Sequence, residues 1–345
     1  MGTSPRAETS RLAWRSVVLI AAFALAPKGD CDGVDSLLAA WGDQARQADA
    51  IPYRLSQRLS LRTWSSAGSL AHTGSAEVIT DGTRYRISHQ LGDRDSKETY
   101  TFDGKVWMSL SEVPGRAGVV RRYGNVFKDP VRDIGTRLED HIRLETESTF
   151  YVRLSDLLTV SHLLKRPLPE VMRRPGLRYR ARTEGDQVVL TLEHGHGGQK
   201  EPFVSQAVLM LSGEAIALKS AECVYPGEGG SGNDLVAKLE LGGHRPFAGT
   251  MVPGWLRLQA QSKAGSDQKH ESRMEVEASP LVAPSDDVFR IEFPPGTRLN
   301  DYVSGRDRIV KRSASGFALV PVLAVAAVIL AGALAWFVVR RSGAP

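Results

Sequence analysis

The chain predicts a mainly β, α+β fold with one transmembrane helix at its C-terminal end. Three observations predict it. An apolar run of 23 residues, Phe317–Val339, is followed at once by Arg340 and Arg341. Two Asp-Gly pairs, Asp81-Gly82 and Asp103-Gly104, each separate runs that alternate apolar and polar residues. The same period of two returns through most of the second half.

A hydrocarbon core of ~30 Å needs ~20 residues at ~1.5 Å rise, so Phe317–Val339 is long enough to span one. At the other end, Arg6, Arg11 and Arg15 precede the short apolar stretch Val17–Ala26. Basic residues, a brief apolar segment and a small-residue exit are the marks of a secretory signal peptide. Together the two segments predict a single-pass, type I protein with its main domain on the periplasmic or extracytoplasmic side. The organisation is then 1–26 signal peptide, 27–305 exported β-rich domain with a hinge at 165–176, 306–316 basic juxtamembrane linker, 317–339 span and 340–345 cytoplasmic tail. Arg306, Arg308, Lys311 and Arg312 crowd the outer flank of the span and run against the positive-inside rule. A tail-anchored cytoplasmic topology is the alternative.

In the exported part, Asp35 or Ser36 caps a predicted helix to about Asp49, with Leu37, Leu38, Trp41, Ala45 and Ala48 on one face. Tyr53, Leu55, Leu59 and Leu61 then alternate with Arg54, Ser56, Arg58, Ser60 and Arg62, a half-buried strand. Strands follow at Ser75–Thr80, Arg84–Leu91, Glu98–Phe102 and Val106–Leu110. Their Asp-Gly turns tolerate positive φ and predict hairpins, hence an antiparallel meander. Val113–Gly135 is predicted as a long excursion and Arg153–Lys165 as a helix stopped by Pro167. Later strands are predicted at Leu177–Thr183, Gln187–Glu193, Phe203–Leu211, Ala215–Tyr225, Leu235–Leu241, Trp255–Ser262, Arg273–Ala278 and Phe289–Phe293.

The formal net charge of +5 carries little information about partners. Two positive charges belong to the leader and two to the tail, which leaves about +1 on the exported part. No basic domain remains, so nucleic acid is not a predicted partner. The two cysteines, Cys31 and Cys223, leave room for one disulfide in an exported chain. Acylation of Cys31 is disfavoured by the Lys28-Gly29-Asp30 before it.

No motif carries chemistry. His194-Gly195-His196 is the only close histidine pair among eight, and it sits in a glycine-rich turn without further ligands. There is no G-x-S-x-G elbow, P-loop or H-E-x-x-H. The acidic pairs Glu275/Glu277 and Asp286/Asp287 fit solvated strand faces and turns. No cofactor or metal is predicted, and the chain is not predicted to be an enzyme. The densest apolar group of the first half is Tyr85, Ile87, Tyr100, Phe102, Trp107 and Met108. These residues are ordinary core on one reading, and the lining of a groove for a greasy ligand on the other.

The order of these elements carries a resemblance. An amphipathic helix, a strand, the Gly-led strand Gly74–Thr80, the R-Y-R-I strand at Arg84–Ile87 and the segment Thr99-Tyr100-Thr101-Phe102-Asp103-Gly104-Lys105-Val106-Trp107 follow one another. With Phe289–Asp301 (FRIEFPPGTRLND) as a closing strand and turn, the chain resembles the LolA/LolB/RseB-like lipoprotein-carrier superfamily over most of Asp35–Asp301. That resemblance implies a curved antiparallel open half-barrel that cradles helices. It also implies a hydrophobic cavity, with lipid or lipoprotein binding and no catalysis. Two departures are the C-terminal anchor and roughly 100 extra residues, mostly at Val113–Arg174. They favour a tethered binder over a diffusing carrier. The alternatives are a structural or protein-interaction ectodomain with an unknown partner, an RseB-like sensor acting through a partner, and an anchored hydrolase.

Overall fold

Helix α1 (Cys31–Ala48) opens the fold because its apolar residues recur at helical spacing. Val34, Leu37, Leu38, Trp41, Ala45 and Ala48 are all buried on one face. The computed structural model describes residues 31–311, apart from 66–67, 92–95, 116–118, 129–149, 152, 165, 196–200, 228–233 and 263–268. The predicted leader, the span 317–339 and the tail lie outside the described residues. Among the described residues no helix is long and apolar enough to cross a membrane.

Strands β1 (Tyr53–Ser65), β2 (Gly68–Thr80), β3 (Tyr85–Leu91), β4 (Lys97–Phe102), β5 (Val106–Pro114) and β6 (Val120–Lys128) form the predicted meander. Three short helices follow, α2 (Leu154–Thr159), α3 (Ser161–Leu164) and α4 (Leu168–Met172). The second half contains β7 (Arg178–Glu184), β8 (Gln187–His194), β9 (Phe203–Ser212), β10 (Ala215–Tyr225) and β11 (Leu235–Gly242). It continues with the small hairpin β12 (Arg245–Phe247) and β13 (Thr250–Val252), then β14 (Trp255–Ser262) and β15 (Lys269–Pro280). A 3-10 turn (Asp286–Phe289) leads to β16 (Arg298–Asp301) and β17 (Arg306–Ile309).

Fifteen strands make one sheet in the order β17-β16-β6-β5-β4-β3-β2-β1-β15-β14-β11-β10-β9-β8-β7. All pairs are antiparallel except β16 with β6. The sheet is open, with β17 and β7 as its edges. This matches the predicted open half-barrel. The two halves join where β1 pairs with β15 along twelve residues, from Tyr53↔Pro280 to Trp64↔Lys269.

Alternation decides which side each strand buries. Along β1, Tyr53, Leu55, Gln57, Leu59 and Leu61 are buried, while Arg54, Arg58, Ser60 and Arg62 face solvent. The inner face continues through Val78, Ile87, Val276, Met274, Leu256, Leu239, Cys223 and Leu190 into one core. Helix α1 lies on that face against β7, β10 and β13, and α4 lies against β9. Each fully buried Leu or Ile contributes about 1.5–3 kcal/mol relative to exposure.

Helix α2 begins at Arg153, which supplies no side-chain cap. Its orphan N–H groups find partners elsewhere. Leu154 N–H donates to Tyr53 Oη at 3.0 Å and Ser155 N–H to Asp49 Oδ1 at 3.1 Å. Trp41 Nε1 donates to Leu158 O at 3.2 Å. The end of α1 and the start of β1 thus cap and hold α2.

Several expectations are corrected. The single helix predicted at Arg153–Lys165 breaks at Val160, whose φ of 50° is left-handed. The excursion predicted at Val113–Gly135 contains β6, hidden because Arg121, Arg122 and Gly124 spoil its alternation. Phe289–Phe293 is not a strand. Phe289 closes the 3-10 turn and is fully buried, with the Arg84 guanidinium 4.5 Å from its ring centre. Pro167 and Pro169 open α4, where a missing N–H costs nothing. Arg306–Ile309, predicted to begin the linker, is β17, paired with β16. Cys223 is buried in the core, and the predicted disulfide falls outside the described residues at its Cys31 side chain.

Candidate functional site

The register of β3 to β6 assigns the aromatic residues to faces. Tyr85 pairs with Phe102 and Ile87 with Tyr100, and Phe102 pairs with Trp107. These five share the inner face. Met108 pairs with Thr101, which pairs with Arg86, so Met108 belongs to the outer face. Five of the six sequence candidates are therefore brought together, and Met108 is not.

Burial falls along this face. Ile87 is 2% exposed and Tyr100 is 8% exposed, and both belong to the core. Tyr85 and Trp107 pack against that core but are only half-buried. Phe102 is also half-buried, and its ring lies 4.9 Å from that of Trp107 at an angle of 24°. Tyr123 is 41% exposed, and its pairing with Ser111 puts it on the same face. The inner face thus passes from core under β1–β3 to half-buried Phe102 and Trp107 and exposed Tyr123 on β4–β6, with Ser109, Ser111 and Asn125 between Trp107 and Tyr123.

Polar groups border this surface. Glu98, paired with His89, accepts from Tyr100 Oη at 2.5 Å and faces His89 Nε2 at 3.2 Å. The His89 and Tyr100 rings stack at 5.9 Å with an angle of 2°. His89 Nδ1 is buried without a hydrogen-bond partner. Asn125 Nδ2 donates to Ser109 Oγ at 3.1 Å, and Asn300 Nδ2 donates to Asn125 Oδ1 at 3.2 Å. Burial pushes the Tyr85 hydroxyl above its ordinary pKa, so it stays a neutral donor.

Among the described residues no three His, Cys, Asp or Glu side chains cluster to hold a metal. A hollow of about 520 Å³ lies on the outer face, lined by Glu240, Trp255, Arg257, Glu271 and Arg273. The Arg257–Glu271 ion pair at 2.8 Å makes it polar. Glu275 and Glu277 are exposed on β15, and Asp286 is bound to Arg84 at 2.6 Å.

Sequence reasoning missed His89, Glu98, Tyr123 and Asn125. Strict alternation from Tyr85 and Ile87 leads directly to His89, and its partner on β4 is Glu98. Tyr123 and Asn125 were hidden inside the stretch read as an excursion.

No family model matches the chain, and no curated protein matches it. Solved structures are similar to it at low identity. A DUF1329 family protein from Desulfovibrio piger shares 11% identity over 73% of this chain and 97% of its own, with a TM-score of 0.36. A domain from Vibrio parahaemolyticus described as an outer membrane lipoprotein-sorting protein shares 9% over 72% and 95%, at 0.35. A LolA superfamily protein from Nitrosomonas europaea shares 11% over 72% and 96%, at 0.32. Scores this low carry no residue-by-residue correspondence, and the site stands on its own geometry.

Proposed function

We propose that this protein is a membrane-tethered, envelope-side module that binds an apolar ligand, the acyl part of a lipid or lipoprotein, without chemistry of its own. The half-buried aromatic cluster of Phe102, Trp107 and Tyr85 on the inner face carries this reading. It is an apolar wall with a few convergent polar groups at its border, the composition that suits a greasy ligand with a polar end. Glu98, His89, Ser109 and Asn125 supply that border. The tether is the 23-residue run Phe317–Val339.

Native mass spectrometry of the full chain, extracted in mild detergent, tests the proposal. Acyl-bearing species are expected to travel with the wild type. Phe102→Ala with Trp107→Ala removes two half-buried rings and should weaken retention of a fluorescent fatty acid by about tenfold or more. An empty wild type, together with unchanged retention by a folded double variant, overturns the proposal.

A further inference from the structure

The register fixes where the chain leaves the fold. β16 runs parallel to β6, with Arg298 beside Tyr123 and Asp301 beside Val126. β17 then turns back and puts Ile309 beside Arg298. Hydrogen bonds from Gly296 N–H to Val310 O (2.8 Å) and from Val310 N–H to Thr297 O (2.9 Å) carry the pairing beyond Ile309. Lys311 is therefore heading toward the β5–β6 turn, two strand spacings or ~10 Å to the side of β6. Only Arg312–Gly316 separate it from Phe317. Five residues reach at most ~18 Å when fully extended.

The corner at which the chain leaves has an unusual surface. Val113, Val119, Val120, Tyr123 and Ile309 are 39%, 61%, 43%, 41% and 65% exposed. Arg121, Arg306, Arg308 and Lys311 are exposed among them. Gly115 and Val119, adjoining the two strands of the hairpin, lie close together. Gly115 N–H donates to Val119 O at 2.7 Å, and a Cβ at Gly115 would stand 2.6 Å from that oxygen. At the opposite end of the same strands the turns are polar, Asp81–Arg84 and Asp103–Val106.

We infer that this corner, formed by Val113, Val119, Val120 and Tyr123 of the β5–β6 pair with β17, rests on the surface of the membrane that the chain itself enters and contacts anionic lipid there. The inference rests on the tethered reading of Phe317–Val339. Exposed valines and an isoleucine ringed by arginine and lysine fit a headgroup boundary, where apolar side chains enter and cations meet lipid phosphate. The short link leaves the domain no room to turn this corner away from the bilayer.

Single-cysteine variants of the full chain, in a Cys31→Ser, Cys223→Ala background, test this. Environment-sensitive fluorophores are placed at Val119→Cys, Ile309→Cys, Lys105→Cys and, inside the apolar run, Ile329→Cys. The chain is reconstituted in vesicles of phosphatidylcholine and phosphatidylglycerol. Probes at 119 and 309 should brighten severalfold and be quenched by headgroup nitroxide lipid, while the probe at 105 stays at its aqueous level. If 329 reports lipid but 119 and 309 report water, the orientation is wrong and the tether stands. If 329 reports water, the tether fails and the orientation falls with it. Brightening at 119 and 309 that ignores the nitroxide lipid and follows chain density assigns the corner to a second copy, which also overturns the inference.

Discussion

Gln57 satisfies both main-chain polar groups of Tyr151. Its Nε2 donates to Tyr151 O at 2.7 Å, and its Oε1 accepts from Tyr151 N–H at 2.7 Å. The amide is 1% exposed on the inner face of β1, so it staples the segment that precedes α2 onto the sheet. Gln57→Met keeps the volume and removes both bonds. Each buried, unpaired backbone group costs about 1–3 kcal/mol, so the variant should lose about 2–4 kcal/mol in urea melts. A loss under 0.5 kcal/mol would show that water replaces the staple.

Gly124 on β6 faces the C-terminal segment. A Cβ there would stand 2.5 Å and 2.7 Å from the Phe293 ring and 3.0 Å from Leu299 Cδ1. Gly124→Ala is expected to cost about 1–3 kcal/mol through overpacking. It should also speed proteolysis between Arg290 and Arg298. Unchanged cleavage there would mean that the segment shifts freely.

Asp81 holds its turn and, through Arg84, the C-terminal segment. It accepts from Arg84 N–H at 2.7 Å, Thr83 N–H at 3.0 Å and Arg84 Nε at 2.7 Å. Partial burial pushes its pKa up, but these donors outweigh burial and bring it down from 3.8 to about 2. A lowered carboxylate pKa adds stability above the unfolded value of 3.8 and loses it as pH falls through about 2. Arg84 also bonds Asp286. Hydrogen exchange at Asp286–Phe289 should therefore accelerate between pH 4 and pH 2, after correction for intrinsic rates, and Asp81→Asn should flatten that rise. An identical profile in the variant refutes the link.

Cys223 is buried, and burial pushes its thiol from 9.0 up to about 12. The folded state keeps the proton, so this group's contribution is present below about 9 and is lost as pH rises toward 12. In a Cys31→Ser background, alkylation at pH 8.5 should be slower than in urea by a factor of 100 or more, roughly the opening equilibrium of a stable core. Labelling at the unfolded rate would contradict the burial.

The alternation of Tyr53 to Arg62 and the two Asp-Gly turns made most of the meander legible. The second-half strands were legible to within a few residues because Val188, Leu190, Leu192 and their neighbours alternate cleanly. β6 escaped, since both its faces carry mixed residues. The 3-10 turn escaped because the alternation of Phe289, Ile291 and Phe293 is that of a strand, while the flanking prolines forbid the ladder. At the site, local sequence identified the aromatic residues but misassigned Met108, because only the pairing of β4 with β5 reveals faces. The His89–Glu98 contact needed the same pairing.

The seam between β1 and β15 has a consequence in time. Thr63 and His270 meet across it, 207 positions apart. Until residue 280 has emerged from the ribosome, β1 has its local partner β2 on one side and a bare ladder on the other. Assembly of the middle of this sheet therefore waits on nearly the whole chain. Pairing across such separations is slow and leaves an adhesive edge open in the meantime. The period of greatest risk for this protein is its own synthesis, and a holding factor that shields β1 would act then.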